Sequence, residues 1–113
     1  MADTMRLMIG EKEVPVTWED NPSVDALRTL CPLTIQMSMY GGFEQVGALG
    51  QNIVRDDKQT TTNYGDIVLY SGNQIVIFYG SNSWAYTKLG HVDLSQQDMR
   101  DLLGGGDVSI TLQ

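Results

Sequence analysis

The sequence predicts a mostly-β chain, a closed barrel of about eight strands with two short helices. Three observations predict it. Short apolar or alternating runs recur along 113 residues, punctuated by clusters of Gly, Pro, Asn and Ser. Helical periodicity is confined to two brief stretches, each with a capping residue in front. The last run places Val108, Ile110 and Leu112 on one face, and a barrel accommodates so apolar a strand without an open edge.

In chain order, Arg6–Ile9 and Val14–Trp18 read as strands joined through Gly10-Glu11-Lys12. Pro15 has no N–H to give to a ladder and belongs at a sheet edge or bulge. A helix over Pro22–Leu30 follows: Asn21 can cap it, Pro22 suits its first position, and Pro32 stops it. Leu33–Tyr40 alternates, with Leu33, Ile35, Met37 and Met39 on the core face, and Gly41-Gly42-Phe43-Glu44 interrupts it. Gly47–Gln59 reads as irregular loop, and Thr60–Asn63 can extend a strand. Asp66–Ser71 and Gln74–Tyr79 form a hairpin around Gly72-Asn73, a pair that supplies positive φ. Ile75–Phe78 is continuously apolar, as expected of a strand covered on both sides. Further strand is expected over Trp84–Leu89 and Gly90–Val92. Ser95 then caps a helix carrying Met99, Leu102 and Leu103, with one glycine of Gly104–Gly106 as its left-handed stop.

No linker, repeat or low-complexity segment divides the chain, so one domain is expected over 1–113. A chain of this length buries roughly 65% of its unfolded surface and needs neither disulfide nor metal to fold. The formal net charge is −7, from 14 acids against 7 bases, with no basic cluster. Such a surface repels phosphate backbones and argues against nucleic-acid binding. Cys31 is the sole cysteine and reads as a small buried hydrophobe; His91 is the sole histidine. A zinc site built from several Cys or His ligands is therefore not expected, nor is any cofactor. The acidic pairs Glu19-Asp20 and Asp56-Asp57 lack calcium-loop spacing. The start of the sequence has no basic segment leading into an apolar run, and no stretch approaches the ~20 apolar residues of a membrane span. The expected location is cytoplasmic, without membrane association.

The order of elements and three local motifs resemble the cyclophilin-like fold, and more closely the compact bacterial cyclophilin-like domains. Gly65-Asp66-Ile67-Val68-Leu69-Tyr70 followed by Gly72-Asn73-Gln74-Ile75-Val76-Ile77 is similar to that family's glycine-led strand and its Gly-Ser-Gln-Phe-Phe-Ile strand. Leu89-Gly90-His91-Val92 resembles its Phe-Gly-Lys-Val stretch. The compact bacterial group is also similar in Tyr40-Gly41-Gly42-Phe43-Glu44 and in Phe78-Tyr79-Gly80-Ser81-Asn82-Ser83-Trp84. The activity that the resemblance implies is peptidyl-prolyl cis-trans isomerisation. However, the isomerases carry an arginine in a Phe-His-Arg-type strand, and Leu33–Glu44 contains neither Arg nor Lys. Gln74 matches the family glutamine and Trp84 the family tryptophan. The Phe-Phe after the glutamine becomes Ile75-Val76. With a barrier of ~18–20 kcal/mol to lower and no cationic donor, strong isomerase activity is not expected.

The segment Tyr64–Trp84 is the part of the chain most expected to carry function. Tyr79, Trp84 and Tyr86 flank Ser81, Asn82 and Ser83, and aromatic area beside polar tips suits a concave ligand site. The alternative is that Phe78 and Trp84 are core and Ser81–Ser83 is a turn. Tyr40, Phe43, Glu44 and Gln74 complete the candidate binding set. Glu44 acts as an acid or base only if buried near Tyr40 or Tyr79; a lone carboxylate is more often solvated. Three functions follow: a barrel binding a peptide or small ligand at the Tyr79–Tyr86 face without strong catalysis, a weak prolyl isomerase, or a structural interaction module.

Overall fold

The computed structural model of the chain describes residues 5–113. Strand β1 (Leu7–Ile9) turns at Gly10, whose φ is 61°, into β2 (Lys12–Val14). Pro15 breaks the ladder, and β3 (Val16–Trp18) continues beyond it. Helix α1 (Pro22–Thr29) is capped by the Asn21 side chain, which accepts from the Val24 N–H at 2.9 Å, and it buries Val24 and Leu27. After Leu30 the chain crosses a cis Cys31–Pro32 peptide into β4 (Leu33–Tyr40) and then β5 (Glu44–Ala48). Next come β6 (Lys58–Thr61), β7 (Asp66–Tyr70), β8 (Gln74–Phe78) and the long β9 (Ser83–Val92). Helix α2 (Gln96–Leu103) and β10 (Val108–Leu112) complete the chain.

The strands form one antiparallel sheet in the order β2-β1-β10-β4-β5-β8-β7-β9-β3, with β6 also paired to β9. The two ends of that path, β2 and β3, are separated in the chain by Pro15 alone. The sheet therefore curls into a nearly closed barrel whose seam is one residue wide. The Asp93 N–H donates to the Pro15 carbonyl at 2.8 Å, which carries the β3–β9 ladder up to that seam. The expected single strand over Val14–Trp18 is thus two strands serving opposite ends of the sheet, because proline cannot continue either ladder.

Alternation along β7 and β8 produces two apolar faces. Ile67, Leu69, Ile75 and Ile77 point inward and join Leu7, Ile35, Met37, Leu89, Ile110 and Leu112. Val24 and Leu27 of α1, and Met99 and Leu103 of α2, pack into the same cluster. Val68, Val76, Phe78 and Tyr86 face the other way and form a second cluster, with Phe43, Val46 and Tyr70 against it. This is why Ile75–Phe78 is apolar throughout: both sides of that strand are covered. Leu89 is the extra residue of a β-bulge, since Ile67 pairs with Gly90 while Val68 pairs with Lys88.

Several expectations require correction. Residues read as interruption and loop form β5, where Gly47 admits close packing: a Cβ there would sit 2.5 Å from both Ile35 Cγ2 and Met37 Sδ. Strand β6 lies at Lys58–Thr61 instead of Thr60–Asn63. The β7–β8 turn centres on Ser71-Gly72, at φ 55° and 72°, and not on Gly72-Asn73. Its closing bond runs from the Asn73 N–H to the Tyr70 carbonyl at 3.3 Å. Gly104, at φ −88°, is no left-handed stop. Instead the Gln45 side-chain amide donates to the carbonyls of Leu103 and Gly106, both at 2.7 Å, and ends α2 from across the barrel. Met39, placed with the core residues, is exposed near the end of β4.

Candidate functional site

The outer face of the sheet carries a cleft of about 400 Å³. Its floor comes from period-two alternation. Val46 of β5 pairs with Val76 of β8, both face outward, and both line the cleft. Two hairpins of matching design bound it. Tyr40 pairs with Glu44 across Gly41-Gly42-Phe43, and Tyr70 pairs with Gln74 across Ser71-Gly72-Asn73. Each turn has two successive positive-φ residues: Gly41 and Gly42 at 66° and 73°, Ser71 and Gly72 at 55° and 72°. Because β5 and β8 are antiparallel, Glu44 lies beside Phe78 at one end of their ladder and Gln74 beside Ala48 at the other. Four residues of strand separate the two ends, roughly 13 Å. Each end of the cleft thus holds a tyrosine next to a carboxyl or carboxamide.

The side wall comes from β9 and the segment before it. Asn82, Trp84 and Tyr86 line the cleft. The Asn82 amide donates to the Tyr86 hydroxyl oxygen at 2.9 Å, which orients both. The Tyr86 ring meets Tyr70 at 6.1 Å and 64° and Phe78 at 5.7 Å and 69°, edge-to-face packings that fix the wall. Trp84, 56% exposed, and Tyr40, 65% exposed, stand at the rim.

Glu44 is the electrostatic centre of this arrangement. It is only 5% exposed, and burial pushes its carboxyl up to about 7. Among the described residues its carboxyl makes no side-chain hydrogen bond or ion pair, and no Lys or Arg lines the cleft. Burial also raises the Tyr86 hydroxyl, opposed by the hydrogen bond from Asn82. Such a site can hold a proton near neutrality, accept a hydrogen bond or oppose a cation. The lining contains no Ser, Thr, Cys, Lys or His beside Glu44.

Of the residues singled out from sequence, the cleft gathers Tyr40, Glu44, Gln74, Asn82, Trp84 and Tyr86. Three lie elsewhere. Tyr79 follows outward-facing Phe78, so alternation turns it inward, where it is 6% exposed within the barrel core. Phe43 stacks on Phe78 at 6.5 Å and packs edge-on to Tyr40 at 6.3 Å, buttressing the cleft from behind. Ser81 is exposed and outside the lining. Sequence reasoning missed Val46, Tyr70 and Val76. The alternation of β7 and β8 was the signal for the last two, since it puts Tyr70 and Val76 on the same face.

A second polar cluster lies at the β7–β9 ladder. His91 Nδ1 is 2.8 Å from Asp66 Oδ1, and Lys88 Nζ is 3.4 Å from the same oxygen. The other Asp66 oxygen accepts from the Asn63 N–H at 2.8 Å. Its partners tie a turn to the barrel wall. Cys31 is not paired with His91: its thiol lies 3.7 Å from the Leu27 carbonyl and 3.5 Å from Met5 Sδ, and burial pushes its pKa up. No group of three or more His, Cys, Asp or Glu side chains among the described residues could hold a metal ion. No helix among them is long and apolar enough to cross a membrane.

An antiparallel barrel with helices packed into its core and an aromatic cleft outside defines the class of this protein. Within that class the chain belongs to the Cyclophilin-like family, whose sequence model matches residues 7–113. No curated protein matches the chain significantly.

Proposed function

We propose that the chain binds a short extended peptide in the outer cleft and does not act as an efficient prolyl isomerase. The observation carrying this reading is a buried, unpartnered Glu44 carboxyl in an open cleft rimmed by two exposed aromatics, Tyr40 and Trp84. Exposed aromatic side chains beside an apolar floor and fixed polar tips suit ligand contact. The roughly 13 Å between the Glu44 and Gln74 ends matches about four residues of extended chain. Two of the four large exposed apolar residues among those described, Tyr40 and Trp84, flank this cleft, which favours a local site over a broad association face.

Titration calorimetry with a panel of tetrapeptides tests the reading. Binding is expected, with Trp84→Ala and Tyr40→Ala each weakening it about tenfold, as removal of an anchoring aromatic typically does. Heats absent for every peptide, or unaffected by both substitutions, contradict it.

The isomerase reading of the same cleft lacks a donor. A cation that polarises the imide is the family's means of lowering a barrier of ~18–20 kcal/mol, and the lining supplies none. Exchange of an X-Pro peptide is expected at its uncatalysed rate for any residue before proline, measured by NMR exchange spectroscopy.

A further inference from the structure

We infer that the cleft selects a peptide bearing a cationic side chain, ammonium or guanidinium, with Glu44 as its counter-charge and the surrounding rings as its walls. This rests on the cleft-binding reading above and specifies its ligand. Three observations carry it. Glu44 is 5% exposed, lines the cleft and has no cation or side-chain donor among the described residues. A buried carboxyl in that condition is costly to ionise unless the ligand brings the missing positive charge. Tyr40, Tyr70, Tyr86 and Trp84 line the same cavity, and Tyr70 and Tyr86 meet at 64° with centroids 6.1 Å apart, two walls of a corner. Ring faces attract a cation within about 6 Å, and carboxylate plus aromatic faces is the combination that holds alkylammonium groups. The net charge of −7 adds a field that draws cations and repels acidic ligands.

The cavity of about 400 Å³ has room for a long basic side chain, and its apolar floor of Val46 and Val76 matches the methylene stem. Gln74, at the far end, offers amide hydrogen bonds to the peptide backbone. The pH dependence follows from the same geometry. The titratable groups that line the cleft with Glu44 are the phenols of Tyr40 from β4, Tyr70 from β7 and Tyr86 from β9, while β8 brings no titratable group. Glu44 is the cleft's one carboxyl, and burial pushes it up to about 7, so its charge changes between pH 6 and 8. A cation binds the ionised carboxylate better, so its affinity rises with pH across that window.

The test uses the full chain and four tetrapeptides that differ at one position, lysine, arginine, norleucine or glutamate, titrated calorimetrically at pH 6 and 8. At pH 8 the lysine or arginine peptide is expected to bind at least tenfold tighter than norleucine. That advantage shrinks about tenfold at pH 6, the change in ionised fraction of a group titrating near 7. Glu44→Gln is expected to reduce the basic-over-norleucine preference to under threefold at both pH values. Equal binding of basic and norleucine peptides, a preference for glutamate, or a basic preference that does not move with pH each overturns the inference while leaving peptide binding standing. The pH comparison uses the unmodified chain and does not depend on how the variant folds. Binding by none of the four overturns the peptide-binding reading as well. n-Butylammonium chloride, titrated alone, separates sources: affinity matching the lysine peptide would assign the site to a free amine and overturn the peptide part of the inference.

Discussion

Glu44 stands at the first position of β5, opposite Tyr40, and it departs furthest from the behaviour of an ordinary surface acid. Its carboxyl is raised to about 7 by burial, against ~4.3 in an unfolded chain. Between those two values the native state holds a proton that the unfolded state has released, so stability falls as pH rises from about 4.5 through 7. Glu44→Gln removes that loss. The variant is expected to exceed the parent at pH 8 by an amount on the order of 3 kcal/mol and to match it near pH 4, measured by urea unfolding. An advantage that persists unchanged at pH 4 would mean that the carboxyl is not the cause. The sequence offered Glu44 with a condition attached: it would matter if buried near Tyr40 or Tyr79. Tyr40 is its cross-strand partner, whereas Tyr79 lies on the opposite face. Proximity along the chain grouped Tyr79 with Trp84, but Tyr79 takes the face opposite its neighbour Phe78, whereas Trp84 belongs to β9.

At the scale of elements, the sequence was most legible where local rules act alone. Asn21 and Ser95 cap helices as their positions imply, with bonds of 2.9 and 3.1 Å. The β7–β8 hairpin was legible as a hairpin, but its turn was displaced because Ser71 itself adopts positive φ. Strand β5 was hidden since two of its buried side chains, Glu44 and Gln45, are polar and its fourth residue is glycine. Its role emerges from long-range contacts. Gln45 donates to two carbonyls at the end of α2, so Gln45→Leu leaves Leu103 and Gly106 without that partner. The expected cost is about 1–3 kcal/mol in chemical denaturation. Gly47 abuts Ile35 and Met37, so Gly47→Ala forces core side chains aside and should cost about 1–3 kcal/mol. Parent-like stability in Gly47→Ala would show that β4 and β5 are less tightly apposed than described.

At the scale of the molecule, the sequence made a mostly-β barrel legible through its short strands, and the family match over residues 7–113 accords with that fold. Closure was legible from the strongly apolar last strand, but the place of the seam was not, because the single residue Pro15 between β2 and β3 looks locally like a bulge in one strand. The cleft was only partly legible for a related reason. It is assembled from β4, β5, β7, β8 and β9, and its floor of Val46 and Val76 has no signature distinguishing it from core. The barrel interior is packed with aliphatic side chains, so the proposed binding falls on the outer surface, where the open rings and the unpartnered carboxyl lie. The most direct measurement is a two-dimensional amide NMR titration of the chain with a lysine-containing tetrapeptide at pH 8. The account predicts shifts concentrated at Tyr40, Glu44, Val46, Gln74, Val76 and Trp84, with Leu7, Leu27 and Leu112 unmoved. Shifts centred on the α1 or β1 face, or none at saturating peptide, would contradict it.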